Sequence, residues 1–261
     1  MRVYLIGGLG NNILQVLSVS SLEHHQSIKY YDFLQSHNIF TKILKWKLHP
    51  KVIYDMVDIK SERLNLFIIL ADVLLLYISK ITNRRILGRK FVIRSCEIKS
   101  LVICGYMHPL SFNDFYRIHN SKKFNFTFVK SAVIAVHVRR GDLSLNPNLG
   151  VLTAEYYNLA VKQELTHLCR RVVVYTNDLN WCQSNLNFQF YIPEIPSKKS
   201  NVLTDFFGLC SSSTLICSNS TFSYSAAILG VSDRIIVPHP FNKNEPFFIP
   251  ENWIKIHASY E

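Results

Sequence analysis

"VIAVHVRRGDLS", residues 133–144, decides how this chain is read: an apolar, largely β-branched run passes through His137 into Arg139, Arg140, Gly141 and Asp142. A run this short and this apolar predicts a strand buried on both faces, the kind found in parallel sheets. Charge gathered where such a strand ends predicts a site, because ligands of open α/β sheets collect at the carboxyl ends of the strands.

Further strands are predicted on either side of it. Short runs at 172–176 (VVVYT), 189–192 (QFYI), 215–218 (LICS) and 234–237 (RIIV) have strand length and composition. Helical patterns lie between them at 153–168, 178–186, 201–210 and 221–229, with Thr153 as an N-cap and Gly230 closing the last. This alternation predicts a doubly wound α/β unit. The first half opens likewise, with RVYLI, a loop GGLGNN at 7–12 and a helix from about Asn12 to His24. A largely helical stretch at 55–82 and strands near 91–95 and 101–105 follow. The polar stretch 117–131 marks a boundary between residues 1–125 and 126–261. The expected fold is α/β, two Rossmann-like lobes with a cleft between them.

The 261 residues carry 29 basic against 18 acidic side chains, a net charge of +11 that calls for an anionic partner. No zinc finger, helix-turn-helix or aromatic single-strand platform is present, which argues against nucleic acid. Six cysteines without a CxxC pair read as reduced core residues and, with a start that lacks signal-peptide features, imply a cytoplasmic address. The segment "LNLFIILADVLLLYISK" (64–80) is too short and too polar at its centre to span a bilayer. It reads as a buried helix or, with Arg84, Arg85 and Arg89 beyond it, as a peripheral contact with anionic membrane.

Four polar clusters fall at predicted strand ends. Gly7, Gly8, Gly10 and Asn11 form either a plain tight turn or a place where backbone approaches a negative group. Arg139 and Arg140 repel each other unless an anion joins them, and guanidinium forks suit phosphate oxygens; the alternative pairs one of them with Asp142. His137 is either a satisfied core histidine or a nucleotide contact. Asn177 and Asp178 end a further strand, where a carboxylate can accept both N1–H and the exocyclic amine of guanine or simply cap the next helix. Asn219, Ser220, Thr221 and Ser223 open a helix and make a second candidate phosphate cradle, with capping by Ser220 alone as the simpler reading. The chain has no Asp-x-Asp pair, no HExxH, no zinc-ligand spacing and no GxSxG elbow. No metal or cofactor is expected.

In order, GGLGN, HVRRGD, YTNDLNW and NSTFS resemble the motif set of the bacterial and animal α-1,2-fucosyltransferase family, from Gly7 to about Gly230. The resemblance implies a GT-B-like fold, GDP-β-L-fucose as donor, a galactose-type acceptor hydroxyl, inversion and metal independence. It implies that Arg139 and Arg140 hold the donor diphosphate, with Asp142 orienting their loop, and that His137 and Asp178 contact the nucleoside. Asn219, Ser220, Thr221 and Ser223 would grip phosphate, and Gly7, Gly8, Gly10 and Asn11 would line the cleft. Glu23 and Asp32 are open choices for an acceptor base. The chain departs from the family pattern at Asn12, Leu143, Tyr224 and Ser225, which points to a shifted acceptor side. The short cytoplasmic form and the basic surface suggest a lipid-diphosphate-linked glycan acceptor at the inner membrane, as in O-antigen synthesis. Another GDP-sugar as donor, or noncatalytic binding of a GDP-sugar or glycan, is the alternative.

Overall fold

A computed structural model describes residues 2–5, 7–20, 29–32, 102–104, 109, 111–119, 126–141, 143, 148–165, 171–193, 202–244 and 247–261. The chain divides into two compact units, Met1–Phe124 and Asn125–Glu261.

In the first unit, β1 (Arg2–Leu5) lies between β2 (Lys29–Asp32) and β3 (Val102–Cys104), all parallel, with Arg2 opposite Lys29 and Val102. Helix α1 (Leu9–Ser20) follows β1 and buries Ile13, Leu14, Val16, Leu17 and Val19, as a helix apolar on most sides must. It begins at Leu9 rather than near Asn12, so the glycine loop shrinks to Gly7–Gly8 while Gly10 and Asn11 join the first turn. Helix α2 (Phe112–His119) packs on α1 and leaves Phe112 and Tyr116 exposed. The predicted helical stretch 55–82, the apolar segment 64–80 and the strand near 91–95 lie outside the described residues.

The second unit is a parallel five-stranded sheet in the order β5-β4-β6-β7-β8: β4 (Ser131–Val138), β5 (Arg171–Thr176), β6 (Ser212–Ile216), β7 (Arg234–His239) and β8 (Ile254–His257). Strand β4 is buried from Ile134 to Val138, as its unbroken apolar run requires. Ile134, Val136 and Val138 face one layer, where α3 (Ala154–Leu165) packs Tyr156, Tyr157, Ala160 and Val161 against them. Successive side chains alternate between faces, and His137 accordingly meets α6 (Thr221–Leu229) through Phe222, which packs on Phe206 of α5 (Val202–Cys210). The remaining helix, α4 (Leu179–Asn185), follows β5.

The expected elements at 133–138, 172–176, 215–218 and 234–237 match β4 to β7, and α/β architecture with parallel sheets is what forms. Two expectations need correction. The strand at 189–192 reduces to one bridge, Val173 to Tyr191, because that segment touches only the outer edge of β5. Thr153 precedes α3, but its buried hydroxyl has no hydrogen-bond partner and caps nothing. Cys182, Cys210 and Cys217 are buried free thiols, with burial pushing Cys217 up to about 12. Cys96 and Cys169 lie outside the described residues. No described helix is long and apolar enough to cross a membrane.

Candidate functional site

The chain leaves β4 toward β5 on one side and later returns to β6 on the other, so the strand order reverses between β4 and β6. Side chains beyond the carboxyl ends of strands at such a reversal form a crevice suited to ligands. Arg139 follows β4 and the Ser218–Ser223 stretch follows β6. His137 ties the two strand ends, its Nδ1 sharing a 3.0 Å hydrogen bond with Ser218 Oγ. Burial first, and the charge of Arg139 second, hold the imidazole down to about 3, so it is neutral at physiological pH. It is thus the core histidine of the two readings, bracing the floor of the crevice.

The two arginines part company. Arg139, just beyond the end of β4, stays close enough to His137 for its charge to act on the imidazole. Arg140 turns to the α3 layer and is 13% exposed. Its guanidinium stacks on Trp181 at 4.0 Å, donates through Nη1 to the Leu152 carbonyl at 3.3 Å, and donates through Nη2 to Glu261 Oε2 at 2.8 Å. Asp178 Oδ2 stands 4.0 Å from its Nε. The anion demanded by an adjacent arginine pair is therefore met, for Arg140, from within the chain. The expected grip of both arginines on one diphosphate is therefore carried forward for Arg139 first.

Asn177 clamps the backbone between them: the Arg140 N–H donates to Asn177 Oδ1 at 2.9 Å and Asn177 Nδ2 donates back to the Arg140 carbonyl at 3.3 Å. Gly141 sits at φ +65, a left-handed conformation that favours glycine, and a Cβ there would lie 2.9 Å from Asn177 Nδ2. Asn177 is a loop holder. Asp178 caps α4, its Oδ1 accepting from the Trp181 N–H at 3.1 Å, which leaves Oδ2 toward Arg140 and the surface. Asp142 lies outside the described residues, as does Glu23.

At the start of α6, Ser220 Oγ accepts from the Phe222 N–H, while Ser223 Oγ is fully buried and donates to the carbonyls of Ser218 and Ser220. Ser223 thus shapes the turn and does not reach outward. Thr221 is half-buried on the first turn. Asn219, 3% exposed, commits its amide nitrogen to the carbonyls of Leu149 and Gly150 at 3.1 and 3.0 Å. Its side chain has no donor left for phosphate; Ser220, Thr221 and the backbone N–H groups of the helix start remain. The departures at Tyr224 and Ser225 also change meaning. Tyr224 is buried among Phe241, Phe247 and Trp253 with its hydroxyl on the Phe248 carbonyl, and Ser225 is buried with its hydroxyl on the Phe222 carbonyl. These are core changes, not changes facing an acceptor.

In the first unit, Gly7 and Gly8 form the turn after β1, with Asn12 Nδ2 donating to the Gly7 carbonyl at 3.2 Å. Among the described residues, four buried side-chain atoms have no hydrogen-bond partner: Asn12 Oδ1, Thr153 Oγ1, Tyr157 OH and Asn219 Oδ1. Asn12 and Asn219 closely follow β1 and β6, while Thr153 precedes α3 and Tyr157 lies in its first turns. Sequence reasoning missed Trp181, Leu149–Gly150 and Glu261 as parts of this region. Trp181 lies inside the quoted YTNDLNW, but nothing local marks Glu261. Among the described residues no three His, Cys, Asp or Glu side chains gather into a metal-binding group. An open cavity of about 720 Å³ on the outer side of α3, beside Leu159, Lys162 and Phe188, includes none of the site residues.

Residues 113–260 match the sequence profile described as Glycosyl transferase family 11. No curated protein matches the chain. Among solved structures it is similar to the NodZ alpha-1,6-fucosyltransferase soaked with GDP-fucose, at 14% identity and TM-score 0.47, covering 90% of this chain and 93% of that one. It is similar to the fucosyltransferase NodZ from Bradyrhizobium at 13% and 0.44, covering 90% and 94%. The family 9 glycosyl transferase from Veillonella parvula DSM 2008 stands at 11% and 0.45, covering 100% and 88%. Likenesses this distant bear on neither mechanism nor substrate. The profile, by contrast, spans more than half of the sequence and contains the entire β4–β6 crevice, and on that ground the chain belongs to glycosyl transferase family 11.

Proposed function

We propose that the chain transfers L-fucose from GDP-β-L-fucose to a galactose-type hydroxyl, forming an α-1,2 linkage with inversion and without a metal ion. The observation that supports this reading is that Arg139, Asp178 and the start of α6 each follow the carboxyl end of one of the strands β4, β5 and β6, which lie side by side in a family 11 chain. Arg139 neutralises the diphosphate and stabilises the charge that grows on departing GDP. The start of α6, with Ser220 and Thr221, adds backbone dipoles and hydroxyls for phosphate oxygens. Asp178 Oδ2 accepts from guanine while Oδ1 keeps its cap. The acceptor oxygen attacks from the face opposite GDP; 126–261 is the donor lobe, and 1–125, which carries Gly7, Gly8, Gly10 and Asn11, is the acceptor-side lobe.

Incubation with GDP-fucose, GDP-mannose or UDP-galactose and a panel of β-galactosides, with NMR of the product, tests the donor, the linkage and the anomeric outcome together. An α-1,2-fucosyl product formed equally well with and without EDTA is expected. Turnover of GDP-mannose alone would move the reading to another GDP-sugar, and GDP binding without turnover of any donor would make the chain a binding protein.

A further inference from the structure

The geometry points to Glu261 as a positioning residue for the donor site, acting through Arg140; the inference rests on the function proposed above. Residues 258–261 run back beside the loop that follows β4. The Thr153 N–H donates to the Ser259 carbonyl at 3.1 Å, Leu152 and Tyr260 form an antiparallel bridge, and the Glu261 N–H donates to the Val151 carbonyl at 2.8 Å. The Tyr260 ring lies across Gly150, where a Cβ would meet it at 2.8 Å. Gly150 and Leu149 are also the residues whose carbonyls hold Asn219.

The segment therefore grips two motifs at once. Its backbone fixes the 149–153 stretch that anchors Asn219 after β6, and the Glu261 carboxylate fixes Arg140 after β4. Of the two carboxylates near Arg140, Glu261 is at hydrogen-bond distance, 2.8 Å, and Asp178 is not, at 4.0 Å. Arg140 is the immediate neighbour of Arg139, and its side-chain contacts with Glu261 and Trp181 act together with the Asn177 clamp on its backbone to fix the loop that presents Arg139. Glu261 itself is 50% exposed, and ion pairs that open to water add little to folding stability. Its loss is felt in the site before it is felt in the fold.

The test uses the full chain, with GDP as the calorimetric probe and the KM and kcat for GDP-fucose as the kinetic readout. Glu261→Ala weakens GDP binding roughly 2- to 30-fold, the span over which residues without ligand contact modulate a site. Its effect falls on the donor KM more than on kcat, and the melting midpoint moves by less than about 3 °C. Glu261→Gln, which keeps an acceptor oxygen, recovers part of the loss. Arg140→Met weakens GDP binding by a similar factor, and adding Glu261→Ala to it weakens binding no further, since both act through one contact. Wild-type GDP affinity in Glu261→Ala, or fully additive losses in the double variant, would overturn the role. So would loss of all GDP binding in Arg140→Met, which would make Arg140 a ligand. Failure of the unaltered chain to bind GDP sinks the donor-site reading first, and this role with it.

Discussion

The two ends of the five-stranded sheet use polar residues in opposite ways. At the amino ends of the strands the charges answer one another: Glu164, 4% exposed, takes Arg234 through Nε and Nη2 at 2.8–3.1 Å, Lys130 pairs with Asp233 at 2.6 Å, and Ser212 bonds Ser232. At the carboxyl ends lie a neutral buried histidine, an arginine caged by Trp181 and Glu261, and the unpartnered buried Oδ1 of Asn219. Unpaired buried polar groups cost stability, and in native proteins they concentrate where function requires them. The amino edge is built to hold the sheet together, and the carboxyl edge to meet something else.

That contrast can be broken experimentally. The largest effect is expected at Arg139. Arg139→Ala should lower transfer by about 10²- to 10³-fold, the usual cost of removing one preorganised group that stabilises transition-state charge. Circular dichroism should show an intact fold, and near-normal turnover would remove Arg139 from the diphosphate. At the opposite edge, Glu164→Ala should leave GDP affinity per folded molecule unchanged while costing about 1–3 kcal/mol of stability. The lower part of that range applies because Arg234 is half exposed and its charge can return to water. A denaturation curve and a GDP titration on the same sample separate the two; weaker GDP binding would mean that the edges are coupled.

His137 gives a smaller effect with a definite sign. Its folded value, about 3, lies below the ordinary 6.5, so the unfolded chain binds the extra proton first as pH falls. Its contribution is complete above about pH 6.5 and is lost between there and about 3, at up to about 1.4 kcal/mol per pH unit. Urea midpoints for the wild type and His137→Asn, compared between pH 7 and 5, should diverge at neutral pH and converge on acidification; parallel profiles would refute the buried neutral imidazole. Least of all, Lys130→Ala should change stability by less than about 1 kcal/mol, since both partners of that bridge are open to solvent. A larger shift in its urea midpoint would show that the amino edge is more cooperative than its exposed pairs suggest.

Strands β4 to β7 were legible because β-branched runs between turn residues are local signals, and α4 and α6 because Asp178, Ser220 and Gly230 mark ends that the chain uses. Strands β2 and β8 escaped notice. Each is four residues long, and both lie at sheet edges, where an unbroken apolar run is not required. The early start of α1 was hidden by glycines and asparagines, which read as loop but tolerate a first helical turn when the apolar face behind them is buried.

Parallel α/β sheets, and polar clusters at their strand ends, are written in the local sequence. Both follow from residue periodicity and turn chemistry over a few positions, which survive in any fold compatible with them. The tertiary structure decided what each clustered residue does. Arg140 met Glu261, 121 positions away, Asn219 met the Leu149–Gly150 carbonyls about 70 positions away, and Tyr224 went into the core. Hydrogen bonds act over about 3 Å. Which groups come within that reach depended on the strand order that brings β4, β6 and the 258–261 segment together, and no local pattern records it.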